Sequence, residues 1–302
     1  SGANICNIFY RKKYCKISFT LKMNIRKHLK PIILVFAMIL SQTIFCNSDI
    51  TMLGLMKGDH EVGLYSTSVK IYNIVNTMIA SIAWVVMPQM SYNFGKNNYS
   101  EVNRILRYSL NFIVSIGLPC IIGINMLCPE ILEIVAGKKY LGATDSLHIL
   151  TIALTVSLIA GIVVNIILLP SMKEDVCLKA CAWAAVVNII SNYIFIPKYG
   201  LNAAAATTVL AQLITLIISI RAVDKNICIT EKKGILLSPC IGCVGLGITL
   251  FVIIKIANGL WTKAILSLVV GSVVYLSLLF IFKNELIIHI FESIKNSLRQ
   301  ER

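Results

Sequence analysis

The side chains in this sequence that are best placed to do chemistry lie along one predicted helix. Ser66, Lys70, Asn73, Thr77 and Ser81 follow one another at intervals of three or four residues, which places them on one face of an α-helix. A lysine on such a face, within an apolar segment, can bind an anionic group. It can instead extend its amine to the membrane surface or pair with a neighbour for structural reasons. The first alternative predicts a cavity for an anionic ligand.

A second candidate is an acidic side chain at the end of the preceding apolar segment. Asp49 follows Gln42 by seven residues, so the two share a helix face. The carboxylate is a candidate to bind a coupling cation or a proton, or to pair with Lys70. It is equally compatible with an ordinary charge at the membrane interface, and the sequence leaves these alternatives open.

No group of residues indicates covalent catalysis or a bound cofactor. The four histidines lie apart near predicted helix ends, and no nucleophile is paired with a base. The P-loop motif does not occur, which argues against an ATP-driven pump. Cys240 and Cys243 have C-x-x-C spacing but no second pair and no nearby histidine, so they favour helix packing over metal binding. We therefore predict no catalytic residue, no metal and no cofactor.

Composition shows which solvent surrounds the chain. Hydrophobic residues make up 57% of the sequence and charged residues only 14%, whereas soluble domains carry about 25% charged residues. The apolar residues also fall into runs of roughly 20, the length that crosses a bilayer. The predicted fold class is therefore an all-α integral membrane protein, a polytopic bundle of about eight transmembrane helices.

Eight apolar stretches define the predicted organisation. They are residues 31–48, 64–90, 106–128, 145–170, 177–197, 202–220, 235–257 and 264–282. Residues 1–30 form a basic cytoplasmic linker before them. Residues 285–302 form an amphipathic helix that we expect to lie along the membrane surface as a cytoplasmic tail.

The lysines and arginines predict the orientation. If the N-terminal linker is cytoplasmic, the inner segments carry 21 of the 28 basic residues, the outer loops carry 6, and Lys70 lies within a helix. Cytoplasmic loops of membrane proteins are enriched in basic residues, so both termini are predicted to be cytoplasmic. The same bias accounts for the net charge of +14 without a nucleic-acid partner.

Polar faces recur on the first six predicted helices but not on the last two. Besides the face with Gln42 and Asp49 and the face around Lys70, they comprise Arg104, Tyr108, Asn111 and Ser115; Thr151, Thr155 and Asn165; Asn188 and Asn192; and Thr208, Gln212, Thr215 and Ser219. The last two helices instead carry small residues that favour helix packing: Ser238, Gly242, Gly245, Thr249, Ser267 and Gly271. This pattern predicts a six-helix lobe around a hydrated interior (31–222) and two additional, peripheral helices (223–284).

Four segments, in the same order as in a known family, resemble transporters of lipid-linked glycans. They are NSDITMLGLMKGDHEVGLYSTSVKIYN (47–73), VVMPQMSYNFGKNNYSEVNRILR (85–107), EILEIVAGKKYLGATDSLHIL (130–150) and NIISNYIFIPKYGLNAAAATTVLAQ (188–212). Together they resemble the C-terminal portion of the Wzx-type polysaccharide flippases, of the superfamily that also contains the MATE exporters and the lipid II flippases. Asn202 departs from the glycine that the family usually has there.

The resemblance implies a fold and a function. Complete members have fourteen helices in two six-helix lobes plus two extra helices, so this chain is expected to be helices seven to fourteen, with the N-terminal lobe missing. The family flips undecaprenyl-pyrophosphate-linked oligosaccharide across the bacterial cytoplasmic membrane by alternating access. Lys70 would contact the pyrophosphate, with Asn73, Thr77 and Gln89 binding phosphate or sugar, and Asp49 would couple transport to a proton or a cation. Expected partners are the lipid-linked oligosaccharide, membrane lipids and the missing lobe.

Other functions make different demands on the sequence. A MATE-type exporter of drugs or other small molecules, driven by a cation, predicts carboxylates in the cavity, where this chain offers a lysine. An O-antigen polymerase or ligase would need a large extracytoplasmic loop, and no loop between the predicted helices exceeds about 17 residues. A remnant without transport activity is a further alternative.

Overall fold

The chain folds into a bundle of helices, and the computed structural model describes residues 25–227, 234–282 and 284. In that part the α-helices are α1 (Ile25–Lys57), α2 (Asp59–Gly95), α3 (Tyr99–Met126), α4 (Cys128–Ala136), α5 (Thr144–Gly161), α6 (Glu174–Ile220), α7 (Gly234–Ile256) and α8 (Leu260–Ile281). A 3-10 helix (Lys138–Ala143) precedes α5 and a π-helix (Ile162–Leu168) follows it. No strand occurs among these residues, so the all-α class is confirmed. The predicted tail, 285–302, and most of the predicted linker lie outside the described residues.

The membrane-spanning segments agree with the predicted ones in number once α6 is divided. Seven helical segments of the described chain are long and apolar enough to cross a membrane. The longest, α6, has 47 residues, or about 70 Å at 1.5 Å per residue, which is about twice the thickness of a bilayer core. It breaks at Gly200, where φ is 55° and ψ is −135°. Residues 174–199 and 201–220 are therefore two segments, and the protein is a multi-pass membrane protein.

The break in α6 is fixed by a side chain from α2. Glu61 Oε2 accepts a hydrogen bond of 2.9 Å from the backbone N–H of Leu201, one of the free donors at the start of the second segment. A Cβ atom on Gly200 would collide with that same carboxylate oxygen. Because the φ of Gly200 is also one that favours glycine, both the backbone and the surroundings select glycine at this position.

The loops gather at two ends of the bundle. At the outer end, Glu61 contacts Leu201. The 3-10 helix also lies near α2 there, since a Cβ atom added to Gly142 would be in contact with Leu64. At the inner end, Lys173 Nζ donates to Asp224 Oδ1 at 2.6 Å. These contacts define "outer" and "inner" below, and the excess of basic residues predicts that the inner end is cytoplasmic.

The last two helices pack through the small residues noted in the sequence. A Cβ atom on Gly242 would touch the ring of Tyr275, and one on Gly245 would collide with Leu278, so α7 and α8 approach each other closely. The Tyr275 hydroxyl also donates a hydrogen bond of 2.7 Å to the backbone carbonyl of Ser115 on α3. This contact attaches the α7–α8 pair to the rest of the bundle.

Candidate functional site

The structure places Asp49 inside the bundle, not at the membrane interface. Helix α1 continues to Lys57, whereas the sequence predicted its end at residue 48. Asp49 therefore lies about 12 Å below the end of α1 at 1.5 Å per residue, and its side chain is only 3% exposed. The interfacial reading is wrong, because neighbouring helices supply hydrogen-bond donors that let the carboxylate be buried. The suggested pairing with Lys70 does not occur either, since Lys70 is exposed.

Three neutral donors hold the Asp49 carboxylate. Thr208 Oγ1 and the Tyr65 hydroxyl donate to Oδ2, at 2.7 Å and 3.1 Å, and Asn192 Nδ2 donates to Oδ1 at 2.6 Å. The donors come from α2 and from both segments of α6, so the carboxylate joins three helices. Asn188 adds a second layer, because its Oδ1 accepts hydrogen bonds from Asn192 Nδ2 at 3.1 Å and from Ser48 Oγ at 2.9 Å.

We call Asp49, Tyr65, Asn188, Asn192 and Thr208 the carboxylate cluster. Within the described chain no lysine or arginine contacts Asp49, so its negative charge has no cationic side chain as a partner. A buried charge needs such a partner, a bound ion or a proton. The carboxylate, hydroxyl and amide oxygens of the cluster are the ligands that hard cations prefer. The arrangement can therefore bind a proton or a small cation.

Sequence reasoning found most members of this cluster but not their association. It placed Asn188 and Asn192 on one helix face and Thr208 on another, and assigned both faces to a hydrated interior. Tyr65 was missed because it lies on the side of α2 opposite Lys70 and is 1% exposed. The spacing of seven residues between Tyr65 and Tyr72, which marks a second polar face on α2, was the available signal.

The other candidates lie on the opposite, exposed face of α2. Lys70, Asn73 and Thr77 are all exposed, and Asn73 and Thr77 line a shallow groove with Ser81. Lys70 makes no hydrogen bond or ion pair with any residue that the structure describes. The structure thus brings together three of the four predicted substrate-binding residues on one surface, which we call the Lys70 face.

Gln89 is not part of that surface. It lies 19 residues after Lys70 on the same helix, a separation of about 28 Å along the axis and about 100° around it. Its side chain is exposed near the inner end of α2. The same spacing, read from the sequence, already separates Gln89 from the Lys70 face on a regular helix.

The cysteines do not form a metal-binding site among the described residues. No three histidine, cysteine, aspartate or glutamate side chains there are grouped closely enough to hold a metal. Burial, with smaller contributions from Asp145 and Glu130, raises the pKa of the Cys128 thiol to about 12. This thiol, which lies between two membrane-spanning segments, therefore stays protonated and unreactive at neutral pH.

A bundle of membrane-spanning helices with a buried polar cluster and an exposed lysine on one face defines a multi-pass membrane protein. The family model of the lipid II flippase MurJ matches residues 9–279, which is most of the chain. The chain therefore belongs to the MurJ family of lipid II flippases. The resemblance to flippases of lipid-linked glycans is confirmed at this level, while the Wzx-type assignment stays a prediction.

Individual relatives are also named for glycan transport or synthesis. The chain is 26% identical over 166 residues to the probable low-salt glycan biosynthesis flippase Agl15 of Haloferax volcanii, covering 54% of this chain and 34% of that protein. It is 25% identical over 216 residues to the capsular polysaccharide biosynthesis protein CapF of Staphylococcus aureus, covering 70% of this chain and 54% of that one.

A solved structure shares the fold. The lipid II flippase MurJ in an inward closed conformation matches 95% of this chain with a TM-score of 0.70 at 20% identity, and 61% of that protein is covered. The chain thus spans between about a third and three fifths of the length of these relatives.

Proposed function

We propose that this chain is the C-terminal part of a flippase that moves an undecaprenyl-pyrophosphate-linked oligosaccharide across the bacterial cytoplasmic membrane by alternating access. The observation that carries the proposal is Lys70, an exposed cation without a partner in the described chain, on a helix that crosses the membrane. The names of the relatives support lipid-linked glycans as the substrate class.

The physical demand on such a transporter fits the Lys70 face. A pyrophosphate with attached sugars must cross a hydrocarbon core about 30 Å thick, and it needs a polar surface with a compensating positive charge. Lys70 lies about 16 Å from the start of α2, within a segment that is long and apolar enough to cross the membrane. A lysine at that depth is unfavourable next to lipid and is expected to face protein or water. In the proposal Lys70 binds the pyrophosphate, and Asn73 and Thr77 donate hydrogen bonds to phosphate or sugar.

Gln89 is expected to bind a different part of the substrate from Lys70. Its distance from Lys70 is too large for both side chains to bind one phosphate group. Gln89 would instead bind a sugar or a phosphate near the inner end, where the substrate enters.

The substrate cavity also requires a surface opposite the Lys70 face. The chain covers only part of its relatives, and in the proposal the N-terminal lobe of the complete protein supplies that surface. The two lobes would rock about the substrate between inward-open and outward-open states. The lobe described here would not transport alone, because its polar face would meet lipid.

Asp49 is proposed as the residue that couples transport to a proton or a cation. The carboxylate cluster joins α1, α2 and both segments of α6, so neutralising its charge would change how these helices pack. A ligand shifts a conformational equilibrium only by its differential affinity for the two states. Coupling therefore requires that one state of the transporter bind the ion more tightly.

Replacement of Lys70 tests the substrate assignment. The full-length protein with Lys70→Ala is expressed in a strain that lacks its own flippase, and surface glycan is measured together with protein in the membrane. Export is expected to fall by at least about tenfold, since a charge-assisted contact contributes about 1.5–3 kcal/mol. Lys57→Ala, at the outer end of α1, is the matched control and should export normally. Normal export by Lys70→Ala would contradict the assignment.

The MATE-type alternative requires a carboxylate that a cationic drug can reach. Asp49 is buried behind Tyr65, Asn192 and Thr208, whereas Lys70 is exposed. Resistance to cationic dyes without restored glycan export, in the same strain, would favour the alternative.

A further inference from the structure

A cavity of about 310 Å³ lies inside the bundle, between α1, α2, the π-helix and α6. Four amide side chains line it, and we call it the amide cavity: Gln42, Asn76, Asn165 and Gln212. Thr77, Ser157 and Thr215 add hydroxyl groups, and none of the described lining residues carries a charge. The lining is therefore polar and electrically neutral, unlike the apolar groove elsewhere in the bundle between α3 and α8.

The amides indicate that the cavity holds water. Gln42 and Asn165 line the cavity but make no hydrogen bond with any described residue. Unpaired amides within a membrane are costly unless water binds them. The volume is sufficient for several molecules, since each water takes about 30 Å³.

The cavity does not include the carboxylate cluster, but polar side chains on three helices lie between the two. On α1, Gln42 lies seven residues, or about 10 Å, from Asp49. On α6, Gln212 lies one helical turn from Thr208, which donates to Asp49. On α2, the Tyr72 hydroxyl accepts a long hydrogen bond of 3.5 Å from Gln212 Nε2, and Tyr72 lies two turns from Tyr65. Polar groups thus reach from the cavity to the buried carboxylate.

The other side of the cavity opens towards the substrate face. Thr77 lines both the amide cavity and the shallow groove that runs along the Lys70 face. Gln42, Thr77 and Trp84 line the cavity and are exposed, Trp84 by 76%. The mouth therefore lies between α1 and α2, on the surface that carries Lys70.

We infer that the amide cavity is the passage by which a hydrated monovalent cation reaches Asp49 from the substrate side of the lobe. Amide and hydroxyl oxygens can replace part of the hydration shell of the ion, and a neutral lining binds it too weakly to trap it. The Asp49 carboxylate at the far end favours cations over anions. The inference rests on the proposed coupling role of Asp49 and adds the route of the ion. It also means that ion and glycan carrier approach through one space.

Charged thiol reagents test the passage. Single cysteines are introduced into the full-length protein after its native cysteines have been replaced: Thr215→Cys in the cavity, and Ile190→Cys on an exposed apolar surface of α6 as the matched control. The probes are cationic methanethiosulfonate ethyltrimethylammonium and anionic methanethiosulfonate ethylsulfonate. Modification of Thr215→Cys by the cationic probe should be at least about tenfold faster than by the anionic one, corrected for their reactivity with a free thiol. Ile190→Cys should react slowly with both.

The variant Asp49→Asn tests whether the preference for the cationic probe depends on the Asp49 carboxylate. In that background the preference for the cationic probe should be lost, while the cavity stays accessible. If Thr215→Cys does not fold, Ala80→Cys probes the same cavity. Slow modification at both positions, or a cation preference that Asp49→Asn leaves unchanged, would overturn the passage.

The two proposals fail in different ways. If glycan transport is independent of proton and cation gradients, the coupling role of Asp49 is wrong, whatever the probes report. If transport depends on a gradient but the cavity is closed to both probes, only the passage is wrong.

Discussion

At the level of single residues, the main finding is that the two charged candidates of the sequence serve separate surfaces. Lys70 is exposed on one side of α2, and Asp49 is buried against Tyr65 on the other side. They do not neutralise each other, so each is available for a different ligand.

The charge of Asp49 can be removed with little change in shape. Asp49→Asn should abolish the dependence of glycan transport on the ion gradient, because the amide cannot bind a proton or a cation as the carboxylate does. The measurement is transport by the full-length protein with and without an imposed proton or sodium gradient. Asp145→Asn, an exposed carboxylate at the outer end, is the control and should keep the gradient dependence. Unchanged dependence in Asp49→Asn would remove the coupling role.

Residue types and spacing predicted part of the site. The Lys70 face follows from helical periodicity, because exposed polar side chains on one helix repeat every three or four residues. The carboxylate cluster does not, because its members are up to 159 positions apart in the sequence and meet only when α1, α2 and α6 pack. Gln89 was grouped with Lys70 on the family resemblance, although its spacing of 19 residues places it about 100° around the helix.

At the level of elements, the break in α6 is the feature most sensitive to a single substitution. Gly200→Ala should destabilise the protein by about 1–3 kcal/mol, because its backbone conformation disfavours other residues and its Cβ collides with Glu61. A lower apparent melting temperature of the purified full-length protein in detergent would report this. Gly247→Ala, at a glycine whose Cβ meets nothing within 4 Å, is the control and should be nearly neutral.

A second substitution separates the cost of the backbone conformation at Gly200 from the cost of the collision with Glu61. In a Glu61→Ala background the collision is absent, so Gly200→Ala should cost less there than in the wild type, while the backbone cost remains. Equal costs in both backgrounds would show that the contact with Glu61 does not constrain the turn.

The elements themselves were largely predictable, but their boundaries were not. Runs of about 20 apolar residues gave all the spanning segments, because the bilayer sets their length. The predicted end of α1 at residue 48 was wrong, since polar residues such as Asp49 continue the helix once partners from α2 and α6 satisfy them. The π-helix at Ile162–Leu168 has no composition signal in an apolar run.

At the level of the whole molecule, the distribution of basic residues predicts the orientation in the membrane. Asn97→Cys at the inner end should be modified by an impermeant thiol reagent only after the cells are opened. Lys139→Cys, in the 3-10 helix at the outer end, should be modified in intact cells. Both variants are made in a background without other accessible cysteines. The reverse pattern would place the termini outside and contradict the prediction.

The central claim is that the complete protein moves a pyrophosphate-linked glycan between leaflets and that Lys70 contacts it. The most direct measurement uses purified full-length protein in proteoliposomes that contain an undecaprenyl-pyrophosphate oligosaccharide. Transfer is followed by the fraction of glycan that an added, impermeant glycosidase can cleave over time. We predict that wild-type protein makes the inner-leaflet glycan accessible, that Lys57→Ala does the same, and that Lys70→Ala is slower by at least about tenfold. No acceleration by the wild type, or equal rates for Lys70→Ala and the wild type, would contradict the claim.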